Sequence, residues 1–150
     1  MGMIIILLAF FIQTGNVNGF VVWISLPIVI TIGLINMANN IRDRVKDKAS
    51  GRKTLPILLG KKASITFMAA MYILAYLIVI FTALFKSGGS LFYLLVLFSF
   101  PMPIKAIRRF NKNDTPASMM PAMAATGKTN TVFGILYALG IYISALLGGI

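Results

Sequence analysis

Apolar residues run along this chain in long unbroken stretches separated by short polar ones. Five stretches stand out, at 3 to 13, 20 to 39, 63 to 85, 91 to 107 and 131 to 149. A helix needs about 20 predominantly apolar residues to cross a bilayer, so four of the five are read as membrane spans and the first as too short. The stretches lack the alternation of a barrel strand and exceed its length of about 9–11 residues. The pattern predicts an all-α, multi-pass transmembrane helical bundle forming a single transmembrane domain over 1–150, with no internal repeat. The short opening stretch runs into the turn-rich segment Gln13 to Gly19 and reads as the tail of a helix. It lacks a basic leader and a small-residue cleavage site, so it is not read as a signal peptide.

Composition agrees with the pattern. Apolar residues make up 59% and charged residues 11%, with a mean hydropathy of +0.91, against roughly 45–50% and about 25% in soluble domains. The chain has no Cys and no His, which excludes disulfides, thiol nucleophiles, His-dependent triads and zinc sites of the Cys/His kind. Any metal must be held by oxygen.

The net charge of +11 does not point to nucleic acid, because the cations flank membrane segments instead of covering a soluble module. Arg42, Arg44, Lys46, Lys48, Arg52, Lys53, Lys61 and Lys62 fall between 40 and 62, and Lys105, Arg108, Arg109, Lys112 and Lys128 between 105 and 130. The alternate loops, 14 to 19 and 86 to 90, hold Lys86 alone. By the positive-inside rule the protein belongs in the cell membrane with both long loops cytoplasmic and the C-terminus outside. On the last stretch, Gly140, Ser144 and Gly148 recur every four residues, a packing face where two helices can approach closely.

Only three acidic residues occur, Asp43, Asp47 and Asp114. Two of them lie four apart just beyond the second stretch. If that helix continues past the interface, Asn39, Asp43 and Asp47 share one face, flanked by Asn36 and Asn40 and bordered by basic residues. Carboxylate and amide oxygens suit Mg²⁺, which is usually held by one or two carboxylates together with waters and phosphate oxygens. Neighbouring Arg and Lys would contact the remaining phosphoryl oxygens. Spacing alone leaves open a plainer role, in which the Asp residues temper a basic loop through i,i+4 pairs. Asp114, beside Asn111, Asn113 and Thr115, is read as a turn residue.

Asn39-Asn40-Ile41-Arg42-Asp43, then Asp47, Gly51, Arg52-Lys53-Thr54-Leu55 and Leu59-Gly60 resemble the second Asp-rich motif of the UbiA superfamily of membrane prenyltransferases. Within it they look most like the 1,4-dihydroxy-2-naphthoate polyprenyltransferases of menaquinone synthesis, as does the stretch from Phe11 to Gly15 and on to Leu26-Pro27. The resemblance implies Mg²⁺-dependent transfer of a polyprenyl group from polyprenyl diphosphate to 1,4-dihydroxy-2-naphthoate, with loss of the carboxylate as carbon dioxide. It implies a nine-helix bundle in which two Asp-rich motifs face each other. Carried over by position, Asp43 and Asp47 would be catalytic, Asn39, Asp43 and Asp47 would be the metal-side residues, and Arg42, Lys53 and Arg52 would meet the diphosphate.

Gly51 would end the extended helix in a left-handed conformation. Phe67, Tyr72 and Tyr76 are candidates to line the cavity and stabilise an allylic cation. The superfamily's first Asp-rich motif has no counterpart here, so the chain is expected to be the C-terminal portion of a longer protein, beginning at the end of a fifth helix. It would be inactive alone and completed by a separate N-terminal half chain or an upstream segment. The competing reading is a non-catalytic membrane subunit or transporter half whose basic cytoplasmic loop binds a partner or a lipid headgroup.

Overall fold

The computed structural model describes residues 2–85 and 90–147. Lys86 and Gly148, used above for topology and for the small-residue stripe, lie outside the described residues. Among the described residues every regular element is a helix: α1 Gly2–Thr14, α2 Gly19–Arg42, α3 Arg44–Ala49, α4 Leu55–Phe85, a 3₁₀ helix Leu91–Ser99, α5 Pro101–Lys112 and α6 Met120–Leu146. Four units have the length and hydropathy of a membrane span, namely α2, α4, the 3₁₀ helix joined to α5, and α6, whereas α1 is too short. Between 28% and 39% of each span's most apolar window is buried within the chain, so most of each helix surface faces lipid or another partner. The chain is a multi-pass membrane helical bundle.

Local chemistry explains the boundaries. Asn18 caps α2 by accepting a hydrogen bond from the Val21 amide at 2.9 Å. The sequence predicts one span over 91 to 107, and the structure divides it at Phe100. Pro101 and Pro103 have no amide hydrogens to give the carbonyls of Leu97 and Ser99, as an α-helix would require. The Phe100 amide instead donates to the Leu97 carbonyl, three residues back, at 3.0 Å, and Pro101 opens a fresh α-helix. The span read as beginning at 63 is preceded by a short helical segment from Leu55, set off from it by a break at Gly60, whose φ of 80° lies outside helical space. The last span begins at Met120 instead of 131.

Two buried clusters hold the bundle. The first joins Leu34, Met37 and Ile41 of α2 to Ile65, Met68 and Tyr72 of α4, Phe110 of α5, and Met119 and Ala122 beside the start of α6. The second joins Tyr76 and Val79 to Tyr93, Val96, Phe133 and Tyr137 towards the opposite end. Between α2 and α4, the Trp23 indole N–H donates to Thr82 Oγ1 at 2.8 Å. Gly140 lies where α6 crosses the 3₁₀ helix: a Cβ there would stand 2.4 Å from the Phe92 carbonyl oxygen and 3.1 Å from Tyr93 Cα. Gly140 and Ser144 are buried at that contact side of α6, as the small-residue pattern predicts.

Two predictions arise from this packing. Gly140→Ala should destabilise the bundle by about 1–3 kcal/mol, since backbone atoms cannot yield to the added methyl. Gly134→Ala, whose Cβ would meet only Ile28 Cδ1 at 3.9 Å, should be nearly neutral, and denaturant unfolding in detergent compares the two. Separately, Lys61 Nζ donates to Asp114 Oδ1 at 2.5 Å and to the Asn113 carbonyl at 2.7 Å, pinning the α5–α6 connection to α4. Lys61 holds the Asp114 carboxyl below its ordinary value. A depressed folded-state pKa means the tether is present above the usual Asp range near 4 and lost as pH falls through the folded value. Amide exchange around Asn113–Ser118 should accelerate below that point, and Asp114→Asn should remove the pH dependence.

Candidate functional site

The site is built at the end of α2. Ile41, buried in the first cluster, anchors the final turn, and Arg42 closes the helix. Asp43 then leaves helical geometry, with φ −89° and ψ 6°, before α3 begins at Arg44. The expectation of one continuous helix is therefore corrected to two helices hinged at Asp43. The hydrogen-bond ladder still bridges the hinge: Asp43 N donates to the Asn39 carbonyl at 2.9 Å, and Asp47 N to the Asp43 carbonyl at 2.8 Å. Asn39, Asp43 and Asp47 thus remain stacked turn upon turn.

Arg42 pairs with the carboxylate at the hinge. Its Nε donates to Asp43 Oδ1 at 2.8 Å and its Nη2 to Oδ2 at 2.5 Å, a two-pronged fork of the kind guanidinium geometry favours. The third nitrogen, Nη1, points to the sulfurs of Met123 at 3.0 Å and Met120 at 3.6 Å on α6. The fork holds the Asp43 carboxyl below its ordinary value, chiefly through the hydrogen bonds from Arg42, with Lys46 and Arg52 adding attraction. Asp43 is therefore an anion at neutral pH.

Asp47 is buried, at 7% exposure, and Arg52 Nη1 reaches its Oδ1 at 3.3 Å. A helix terminator comes next in the chain. The Arg52 amide donates to the Asp47 carbonyl and the Gly51 amide to the Lys48 carbonyl, with Gly51 at φ 73°. This is the Schellman arrangement, the left-handed glycine stop read from the sequence. It returns Arg52 towards Asp47 and leaves Lys53 exposed. On the other side of α3, Arg44 and Lys48 border an open cavity of about 590 Å³ with Val45, Ala49 and Ile57.

Asn36 and Asn40 line a groove of about 300 Å³ between α2 and α4, with Phe67, Met71 and Gly33. Of the three aromatics singled out as cavity-lining, Phe67 lies there. Tyr72 and Tyr76, largely buried in the two clusters, border a separate apolar pocket of about 290 Å³ between α4 and α5 with Phe100, Pro103, Ile104 and Ile107, and the Tyr76 hydroxyl shares a 2.7 Å hydrogen bond with Ser99 Oγ. Asp114 is ion-paired with Lys61 and takes no part in the Asp43–Asp47 group. The approach of Met120 and Met123 to Arg42 spans about eighty positions of sequence, and no spacing signal announces it.

The donor set suits a hard divalent cation: two carboxylates and an amide on consecutive turns, with no soft ligand. No group of three or more acidic, His or Cys side chains gathers among the described residues, so oxygens beyond Asp43 and Asp47 would have to come from amides, water or a ligand. Arg42, Arg52 and Lys53 lie on the same short stretch and are suited to phosphoryl oxygens.

The model of the UbiA prenyltransferase family matches residues 1–129. The chain is 44% identical over 145 residues to the 1,4-dihydroxy-2-naphthoate octaprenyltransferase of Bacillus subtilis (strain 168), covering 96% of this chain and 46% of that protein. It is 33% identical over 136 residues to the UbiA prenyltransferase domain-containing protein 1 homolog of Drosophila melanogaster, covering 91% of this chain and 36% of that one. With the 1,4-dihydroxy-2-naphthoate octaprenyltransferase of Escherichia coli (strain K12) it shares 29% identity over 106 residues, 71% of this chain and 34% of that protein. The chain therefore spans less than half the length of these relatives. No solved structure matches it. On the strength of the family match and the Bacillus relative, this chain belongs to the UbiA prenyltransferase family.

Proposed function

We propose that this chain supplies one wall of a prenyl-transfer site, taking a polyprenyl diphosphate and 1,4-dihydroxy-2-naphthoate in menaquinone synthesis. The observation that carries the reading is the placement of Asp43 and Asp47 on consecutive turns, paired with Arg42 and Arg52, at the end of a membrane span, in a chain 44% identical to a naphthoate octaprenyltransferase. The positive-inside rule puts the cation-rich end of the bundle on the cytoplasmic side, where a soluble aromatic acid and a lipid diphosphate can meet.

Asn39, Asp43 and Asp47 would hold Mg²⁺, which supplies charge neutralisation for the diphosphate. The protein's own part is electrostatic. Arg42 leaves its fork with Asp43 and turns its donors to the phosphoryl oxygens, while Arg52 and Lys53 close on the diphosphate from the loop. These donors stabilise the charge that grows on the diphosphate as its bond to the prenyl carbon breaks. A new bond then forms from that carbon to the naphthoate ring carbon, which gives up its carboxylate as carbon dioxide. The apolar groove of Phe67, Met71 and Gly33, with Asn36 and Asn40 among its lining residues on α2, would receive prenyl carbons. We infer that the site is completed by a second acidic motif supplied from outside these residues, because two carboxylates leave most coordination positions to be filled.

In membranes carrying the completed enzyme, Asp43→Asn and Asp47→Asn should each lower prenyl transfer by about a hundredfold or more, with the Mg²⁺-dependent binding of polyprenyl diphosphate weakened in parallel. Unchanged diphosphate binding in both variants would remove the enzyme reading and favour a non-catalytic membrane subunit. The chain purified by itself should show no turnover with Mg²⁺, polyprenyl diphosphate and dihydroxynaphthoate.

A further inference from the structure

A second basic site stands apart from the carboxylates. Between α5 and α6 lies a pocket of about 410 Å³ lined by Met102, Lys105, Arg109, Pro121, Ala124, Ala125 and Lys128. Its origin is local. Lys105 and Arg109 are four apart and share a face of α5, while the small side chains of Ala124 and Ala125 leave the facing surface of α6 hollow, with Lys128 one turn further on. Arg109 Nη1 donates to the Pro121 carbonyl at 3.0 Å, which fixes the guanidinium at the rim and leaves its other nitrogens available.

No acidic side chain is paired with these cations. The chain's three acidic residues are engaged elsewhere, Asp43 with Arg42, Asp47 with Arg52 and Asp114 with Lys61. The pocket opens at the same end of the bundle as the carboxylates, since Arg42 contacts Met120 and Met123 in the first turn of α6. Its depth is informative. Lys128 follows the start of α6 by eight residues, or about 12 Å, in a helix roughly 40 Å long, against a hydrocarbon thickness of about 30 Å. The helix exceeds the hydrocarbon by about 10 Å, and because its unbroken apolar run begins only at 131 that excess falls at its N-terminal end, which brings Lys128 to the boundary between hydrocarbon and headgroups and not out into the connecting loop, while the floor of Met102, Pro121 and the alanines is apolar.

We propose that this pocket binds the phosphate headgroup of an anionic phospholipid, with Lys105, Arg109 and Lys128 on the phosphate and the acyl chains lying along the cleft between α5 and α6. Basic pockets between membrane helices take such headgroups, with each cation strengthening the attraction. The proposal does not depend on the prenyl-transfer reading, and its test leaves Asp43 and Asp47 untouched.

The purified chain in mild detergent is equilibrated with mixed phosphatidylglycerol and phosphatidylcholine, and the retained lipid is measured by native mass spectrometry. Preferential retention of phosphatidylglycerol is expected. Lys105→Gln, Arg109→Gln and Lys128→Gln should each weaken it about fivefold, and the triple variant on the order of a hundredfold. Lys62→Gln with Lys112→Gln, which removes cations outside the pocket, should leave retention unchanged. Ala124→Leu keeps every charge but fills the pocket, and should also lose the lipid, so the test does not hang on the stability of one variant. Retention of phosphatidylglycerol by both the triple variant and Ala124→Leu would overturn the proposal. So would its displacement by millimolar inorganic diphosphate, which would make the pocket a site for a free anion.

Discussion

Everything in this molecule is arranged around a solvent that offers no hydrogen bonds. Within hydrocarbon an unpaired polar group costs several kcal/mol, so the spans must satisfy their own backbones and keep charge at their ends. Five hydroxyls inside the bundle comply by bonding to their own helix: those of Ser25, Thr31, Thr82, Thr126 and Thr129 donate to carbonyls three or four residues back. All three acidic residues and the described cations are consequently confined to the span ends and the connections between them. Ionic chemistry is possible only there, and the end of α2 is where Asp43 and Asp47 follow on consecutive turns.

Rigid apolar packing turns that confinement into a site. The cluster of Met37, Ile41, Ile65, Met68, Phe110 and Met119 lies directly below the Asp43 hinge and ties four helices together at this end. The direction of Arg42 is set from α6 through Met120 and Met123, and the return of the loop after Asp47 is set by the Gly51 stop. The Lys61–Asp114 pair extends the same end plate to the connection ahead of α6. Position of the carboxylates is thus a property of the bundle, although both belong to one short segment.

Features that depend on a few neighbouring residues were legible in the sequence. Four spans came from length and hydropathy, the Gly51 terminator from a glycine beyond a polar helix end, and the close approach at Gly140 from the spacing of small residues. The basic residues obscured the true starts of two helices. Lys61 and Lys62 hid the turn from Leu55 to Leu59 ahead of the Gly60 kink, and Lys128 with its polar neighbours hid the first two turns of α6, because hydropathy measures solvent preference and not backbone geometry. The hinge at Asp43 was beyond reach for another reason: it goes with an arginine whose remaining donor is aimed by methionines from the far end of the chain. Burial of Tyr72 and Tyr76 likewise depends on α5, α6 and the 3₁₀ helix, and an aromatic on a membrane helix carries no mark of which neighbour it will meet.

The exposure of the Arg42–Asp43 fork bears on how such a site could work. The two side chains retain 24% and 31% exposure, so their pairing belongs nearer the surface regime, worth about 0–1 kcal/mol, than the buried one, in which losing a partner costs about 3–5 kcal/mol. A deeply buried fork would resist opening and hold Asp43 permanently out of use. An exposed one keeps the carboxylate ionised and aligned while remaining easy to exchange. On the proposed reading, a diphosphate arriving with its divalent cation offers Arg42 a more highly charged partner and Asp43 a metal in place of a guanidinium. Neither charge of the fork would then be left without a partner.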